Sequence, residues 1–149
     1  MKFDSLWIGQ VALAALMDAA FAMAVGSALL KAWLGKDGAR PVVSPSHPAW
    51  LRAQHSLVAA ALALVLADLG WLVYEAATMS GAGLGGAFAA IPVVLMQTHA
   101  GFAWSVAFAG AVVLAIVALA KPEGPGAHAV LWLAVIVVAA GKASLGHAA

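Results

Sequence analysis

A polar triplet interrupts one of the longest apolar runs of the chain, because the stretch VLMQTHAGFAW places Gln97, Thr98 and His99 in succession. The imidazole of His99 has the widest chemistry of the three, since it binds metal ions and exchanges protons near neutral pH. Met96 lies three residues earlier and therefore on the same face of a helix. A metal site and a hydrogen-bonded seam between helices are both compatible with this pattern.

Further ligating side chains are expected at the same end of the molecule. Glu75 and Met79 end the second apolar stretch, and His147 ends the last one. The chain contains no cysteine, so its soft ligands are thioethers and imidazoles, a combination that suits copper. These residues predict a copper site drawn from His99, His147, Met96, Met79 and Glu75.

Two charged side chains lie inside apolar stretches at a similar expected depth. Asp68 shares one helical stripe with Glu75, and Lys142 lies in the last apolar stretch. A charge at the centre of a membrane helix costs roughly 2.5–3.5 kcal/mol and usually has a partner. We predict a buried ion pair between Asp68 and Lys142, with a path for a cation or proton as the alternative.

The composition requires a membrane. Of the 149 residues, 65% are hydrophobic and 9% are charged, and the mean hydropathy is +1.03. Soluble domains are typically about half apolar and about a quarter charged. The net charge of +1 gives no indication of nucleic acid as a partner. The chain is therefore predicted to be an integral membrane protein whose surroundings are the lipid bilayer.

Four apolar stretches are long enough to span a bilayer, which takes roughly 20 residues each. The predicted helices cover residues 7–33, 51–76, 92–120 and 128–147 of one transmembrane domain. Segments rich in glycine and proline separate them, and a short interfacial piece is expected before the third helix, broken from it at Pro92. The fold predicted is an all-α, four-helix, up-down bundle.

The basic residues predict the orientation of this bundle. Lysines and arginines concentrate in cytoplasmic loops, and four of them flank the first loop: Lys31, Lys36, Arg40 and Arg52. The third loop carries Lys121, whereas the second loop carries no basic residue. Both termini and the loop around residues 80–86 are therefore predicted to lie outside.

Three segments, EAATMSGAGL, VLMQTHAGFAW and GKASLGHAA, resemble in order and spacing the four-helix membrane domain of the copper resistance protein D family. The matching positions are Glu75, Met79-Ser80-Gly81, Thr98, Gly101, Trp104 and Gly146-His147-Ala148.

This resemblance implies a multi-pass inner-membrane protein that binds or moves copper, together with a periplasmic copper carrier protein as a partner. Family members commonly continue with further helices, so the resemblance implies a half-length relative and suggests a homodimer.

Two alternatives remain open from the sequence. Histidines near both faces, His55 and His128 at one and His99 and His147 at the other, would suit a membrane cytochrome with haem b held between helices. A structural subunit whose polar residues only join helices is the second alternative. Because no nucleophile–base pair or phosphate-binding loop is present, we do not expect an enzyme.

Overall fold

The computed structural model describes residues 5–40, 44–122 and 124–146. All of the secondary structure in these three ranges is helical, and they contain no strand. Its elements in chain order are α1 (Ser5–Gly38), α2 (His47–Ser80), α3 (Leu84–Gln97), α4 (His99–Ala120) and α5 (Pro125–Gly146).

Four of these helices are long and apolar enough to cross a membrane: α1, α2, α4 and α5. The predicted all-α bundle of four spans is therefore confirmed. The 34 residues of α2 extend about 51 Å at 1.5 Å per residue, whereas α1, also of 34 residues, is kinked near its end at Gly35, with φ 61° and ψ −159°. Both exceed the hydrocarbon thickness and extend past their predicted ends.

The spanning helices pack in the order α1, α2, α4, α5, with α3 placed against α2 and α4. Small side chains dominate their shared core, where α1 and α2 meet α4 and α5 around Leu57 and Leu114. Alanine-rich surfaces allow such close approach when lipid, rather than water, surrounds the helices. We name the two ends of the bundle by a residue: the His99 end, where α2 ends and α4 begins, and the Lys31 end opposite.

The third predicted helix is interrupted at Thr98 rather than at Pro92. Thr98 is extended, with φ −120° and ψ 148°, whereas Pro92 lies inside α3. A proline in a helix removes one backbone hydrogen bond, and membrane helices tolerate this loss. With its 14 residues, α3 is too short to span and covers the His99 end of α2, where it buries Ala87 and Val94.

Candidate functional site

His99 lies exposed in the first turn of α4, where it lines a groove between α4 and α5. The groove has a volume of about 150 Å³. Small and apolar side chains and one hydroxyl make its walls: Phe102, Ala103, Val106, Ala140, Gly141 and Ser144. The imidazole is therefore accessible from the surface of the bundle in this arrangement of the helices.

The other predicted ligands on α2 and α3 lie on different faces. Glu75 is half-buried and accepts a hydrogen bond from the Gln10 side chain on α1. Met79 is exposed near the end of α2, and Met96 is 84% exposed on α3. The carboxylate thus faces α1, whereas His99 faces α5.

Among the described residues, no three histidine, aspartate or glutamate side chains come together as a metal-binding group. His147, the second imidazole predicted for this end, lies outside the described residues. The ligand set predicted from the sequence therefore stays a prediction. The described part of it is the exposed His99 imidazole, the exposed thioethers of Met79 and Met96, and the half-buried Glu75 carboxylate.

The predicted ion pair between Asp68 and Lys142 does not form. Instead, Lys142 Nζ lies 2.7 Å from Asp18 Oδ1 on α1. Asp68 is 1% exposed, and neither oxygen of its carboxylate has a hydrogen-bond partner among the described residues. The prediction rested only on the similar depth of Asp68 and Lys142 in the membrane. In the structure, the rotation of α5 directs Lys142 towards Asp18 on α1 instead.

The motif residues Thr98, Gly101 and Trp104 build the corner that presents His99. The Thr98 hydroxyl donates to the Val94 carbonyl at 2.6 Å and accepts from the Gly101 backbone N–H at 2.8 Å. The buried Trp104 indole donates to the backbone carbonyl of Asp68 at 2.9 Å. This motif therefore fixes α4 against α3 and α2, and it leaves the imidazole one residue after the cap.

The arrangement gives no support to haem ligation by the described histidines. His55, His99 and His128 are all exposed on the surface of the bundle. Axial ligation of a haem between helices requires imidazoles that face one another across the interior. His147, the fourth candidate, is not among the described residues.

A polar network at the Lys31 end was not anticipated from the sequence. The Lys31 ammonium donates to the Gln54 side chain and lies 4.7 Å from the centre of the Trp50 ring. Gln54 is 1% exposed, and its amide donates to the Ala118 carbonyl at 2.7 Å. The network joins α1, α2 and α4 at this end. The sequence contains no clear signal for it, because Gln54 lies at the start of the second apolar stretch among other polar residues, Arg52, His55 and Ser56.

Comparison with known proteins identifies the family of this chain. The chain has no significant match among curated proteins or among solved structures. The family model for the copper resistance protein D-like N-terminal domain matches residues 4–149, which is nearly the whole chain and includes all four spanning helices. This four-helix membrane protein, with Thr98, Gly101 and Trp104 at the corner that presents His99, therefore belongs to the copper resistance protein D-like N-terminal domain family.

Proposed function

We propose that this protein handles copper at the His99 end of the bundle, and that this end faces the outside of an inner membrane. The observation that carries the proposal is the accessible His99 imidazole in a groove between two membrane helices, in a chain of a copper resistance family. Copper is here the cargo, and the chain supplies its ligands and its route.

The charge distribution supports the outward placement of this end. Basic side chains collect at the opposite end, on Lys31, Lys36, Arg40, Arg52 and Lys121. Such residues are retained on the cytoplasmic side during insertion. An outward His99 end would be open to a periplasmic copper carrier protein, whereas the Lys31–Gln54 network ties helices together at the inward end.

The side chains at the His99 end have the chemistry for a monovalent copper ion. Imidazole and thioether are the ligands of this chain that bind soft metal ions. We infer that His99 and His147 provide the main ligands, with Met96 and Met79 as exposed thioethers on adjacent helices. Glu75 contributes negative charge that raises the local concentration of cations. His99 is accessible from the groove in this arrangement of the helices.

Copper binding by purified variants tests the proposal. The protein in detergent is titrated with monovalent copper, under reducing conditions, against a chromophoric chelator. His99→Ala and His147→Ala should each weaken binding by more than roughly tenfold, because even outer-shell partners of a metal contribute that much. His128→Ala is the matched control, since it removes an exposed imidazole at the other end of the bundle.

Unchanged affinity in both His99→Ala and His147→Ala would contradict the site. The absorption spectrum of the same samples tests the haem alternative. A Soret band that disappears in His55→Ala or His128→Ala would identify a cytochrome, and a colourless protein that binds copper supports the proposal.

A further inference from the structure

The carboxylate of Asp68 is the most unusual polar group in the molecule. It is 1% exposed, and both of its oxygens lack a hydrogen-bond partner among the residues described. Its neighbours along α2, Leu64 and Ala67, belong to an apolar cluster shared with α1, α4 and α5. Burial of an ionised carboxylate without a partner is costly, and binding of a proton removes that cost.

Asp68 is one of three charged residues that lie at a similar depth in the bundle and differ in how exposed they are. The Asp18 side chain is 74% exposed, the Lys142 side chain is 18% exposed, and Asp68 is 1% exposed. Lys142 forms its ion pair with Asp18 at 2.7 Å, and it follows by one helical turn Val138, which packs in the same apolar cluster as Leu64 and Ala67 beside Asp68. Lys142 is therefore paired with an exposed carboxylate and lies at the level of the enclosed one.

The charges of these groups balance only when one proton is bound. Asp18 and Lys142 neutralise each other, so an ionised Asp68 would leave one uncompensated negative charge in the apolar interior. We propose that Asp68 is a proton-binding site inside the membrane, and that Lys142 and Asp18 form its connection to the surface of the bundle.

Proton release at this site is a simple exchange. The Lys142 ammonium donates one N–H proton to the Asp18 carboxylate, 2.7 Å away, and the neutral amine then takes the proton of the Asp68 carboxyl as that O–H bond breaks. The protonated Asp18 releases its proton to a water molecule at the surface of the bundle, and the restored Lys142 ammonium moves towards the new Asp68 carboxylate. Rebinding of a proton returns the ammonium to Asp18.

Among the described residues, no other titratable side chain lies beside Asp68 as an alternative site for the proton. On α2 the nearest are Tyr74, whose ring packs against Gly9 on α1, and Glu75, two helical turns away and engaged by Gln10. The helix α4 contributes the Trp104 indole, which is bonded to the Asp68 backbone rather than to its carboxylate. The helix α3 has no titratable residue. The nearby Lys142 ammonium disfavours a metal cation at Asp68, which leaves the proton as the ligand.

Infrared difference spectroscopy of copper-free protein in lipid nanodiscs tests this assignment. The wild type should show the carbonyl stretch of a protonated carboxylic acid, which shifts in heavy water and weakens as pH rises. The band should be absent in Asp68→Asn and retained in the control Glu75→Gln. Since the measurement contains no copper, its outcome is separate from that of the copper titration.

Two further variants test the connection to the surface. Asp18→Asn should free Lys142 to pair with Asp68 and so weaken the band at a given pH, because a nearby cation favours the ionised form. Lys142→Met should strengthen the band for the opposite reason. Both variants keep Asp68, so they remain informative if Asp68→Asn fails to fold. A band that survives Asp68→Asn, or one that pH and both variants leave unchanged, would overturn the assignment.

Discussion

The three adjacent polar residues that interrupt the apolar run have separate roles. Gln97 is exposed at the end of α3. Thr98 caps α4 through its hydroxyl, which contacts the Val94 carbonyl and the Gly101 N–H. His99 follows the cap and lines the groove. A helix needs such a cap because its first four N–H groups lack partners within the helix. Thr98 therefore makes the corner, and His99, the next residue, is the ligand proposed for copper.

Substitution of Thr98 measures the strength of this corner. Thr98→Val keeps the shape of the side chain and removes both hydrogen bonds, so it should destabilise the protein by about 0.5–2 kcal/mol, the usual range for a lost N-cap. Thr98→Ser keeps the hydroxyl and is the matched control. Thermal unfolding in detergent, followed by tryptophan fluorescence, gives the comparison. Equal stability of the two variants would mean that the hydroxyl does not hold the corner.

The depth of the buried charges could be predicted from the sequence, but their partners could not. The positions of Asp68 and Lys142 in their apolar stretches placed them at one level, and the structure adds Asp18 at that level. To predict whether Lys142 pairs with Asp18 or with Asp68, one must know how each helix is rotated about its axis. Because these helices are apolar on nearly every face, they lack the polar stripe that reveals rotation.

At the scale of elements, α4 and α5 pack unusually closely. A Cβ atom at Gly141 would lie 2.6 Å from the Ala107 backbone nitrogen and 2.7 Å from its Cβ. On the other helix, a Cβ atom at Gly110 would lie 2.9 Å from Val138 Cγ2. Small residues permit such contacts between membrane helices. Since Gly141 also lines the groove beside His99, this packing sets the width of the groove.

Gly141→Ala should therefore separate α4 from α5. Relief of the clash with Ala107 requires backbone movement, and overpacking of this kind typically costs about 1–3 kcal/mol. The matched control is Gly126→Ala on the same helix, where a Cβ atom meets nothing within 4 Å. Thermal unfolding should rank Gly141→Ala below the control. Equal stability of the two would show that the contact adjusts without strain.

The number of spanning elements could be predicted from the sequence because bilayer thickness fixes the length of each apolar stretch. The length of the apolar stretch does not show that the third predicted helix is interrupted at Thr98. Pro92 is the stronger helix breaker by residue type, yet the helix continues through it. At this break the Thr98 hydroxyl bonds both sides of the corner, and Gly101 approaches the backbone of Val94 and Leu95 too closely for any side chain, which helix propensity does not report.

At the scale of the whole molecule, the two ends differ in character. The Lys31 end is tied together by the contact of Lys31 with Gln54 and by the bond from Gln54 to α4. The His99 end carries the groove and the exposed methionines. A molecule that takes up an ion from one side needs this asymmetry, with an accessible face and a closed one. The proposed function therefore depends on which end faces outward.

Cysteine labelling determines the orientation, and the chain has no cysteine of its own to interfere. Ala82 and Lys36 are exposed near opposite ends of the bundle, so Ala82→Cys and Lys36→Cys are suitable probes. The basic residues at the Lys31 end predict that it stays in the cytoplasm. A membrane-impermeant maleimide should therefore label Ala82→Cys in intact spheroplasts and Lys36→Cys only after lysis. Lysed samples serve as the control for reactivity of each cysteine. Labelling of Lys36→Cys without lysis would invert the bundle and place His99 on the cytoplasmic side, where a periplasmic carrier could not reach it.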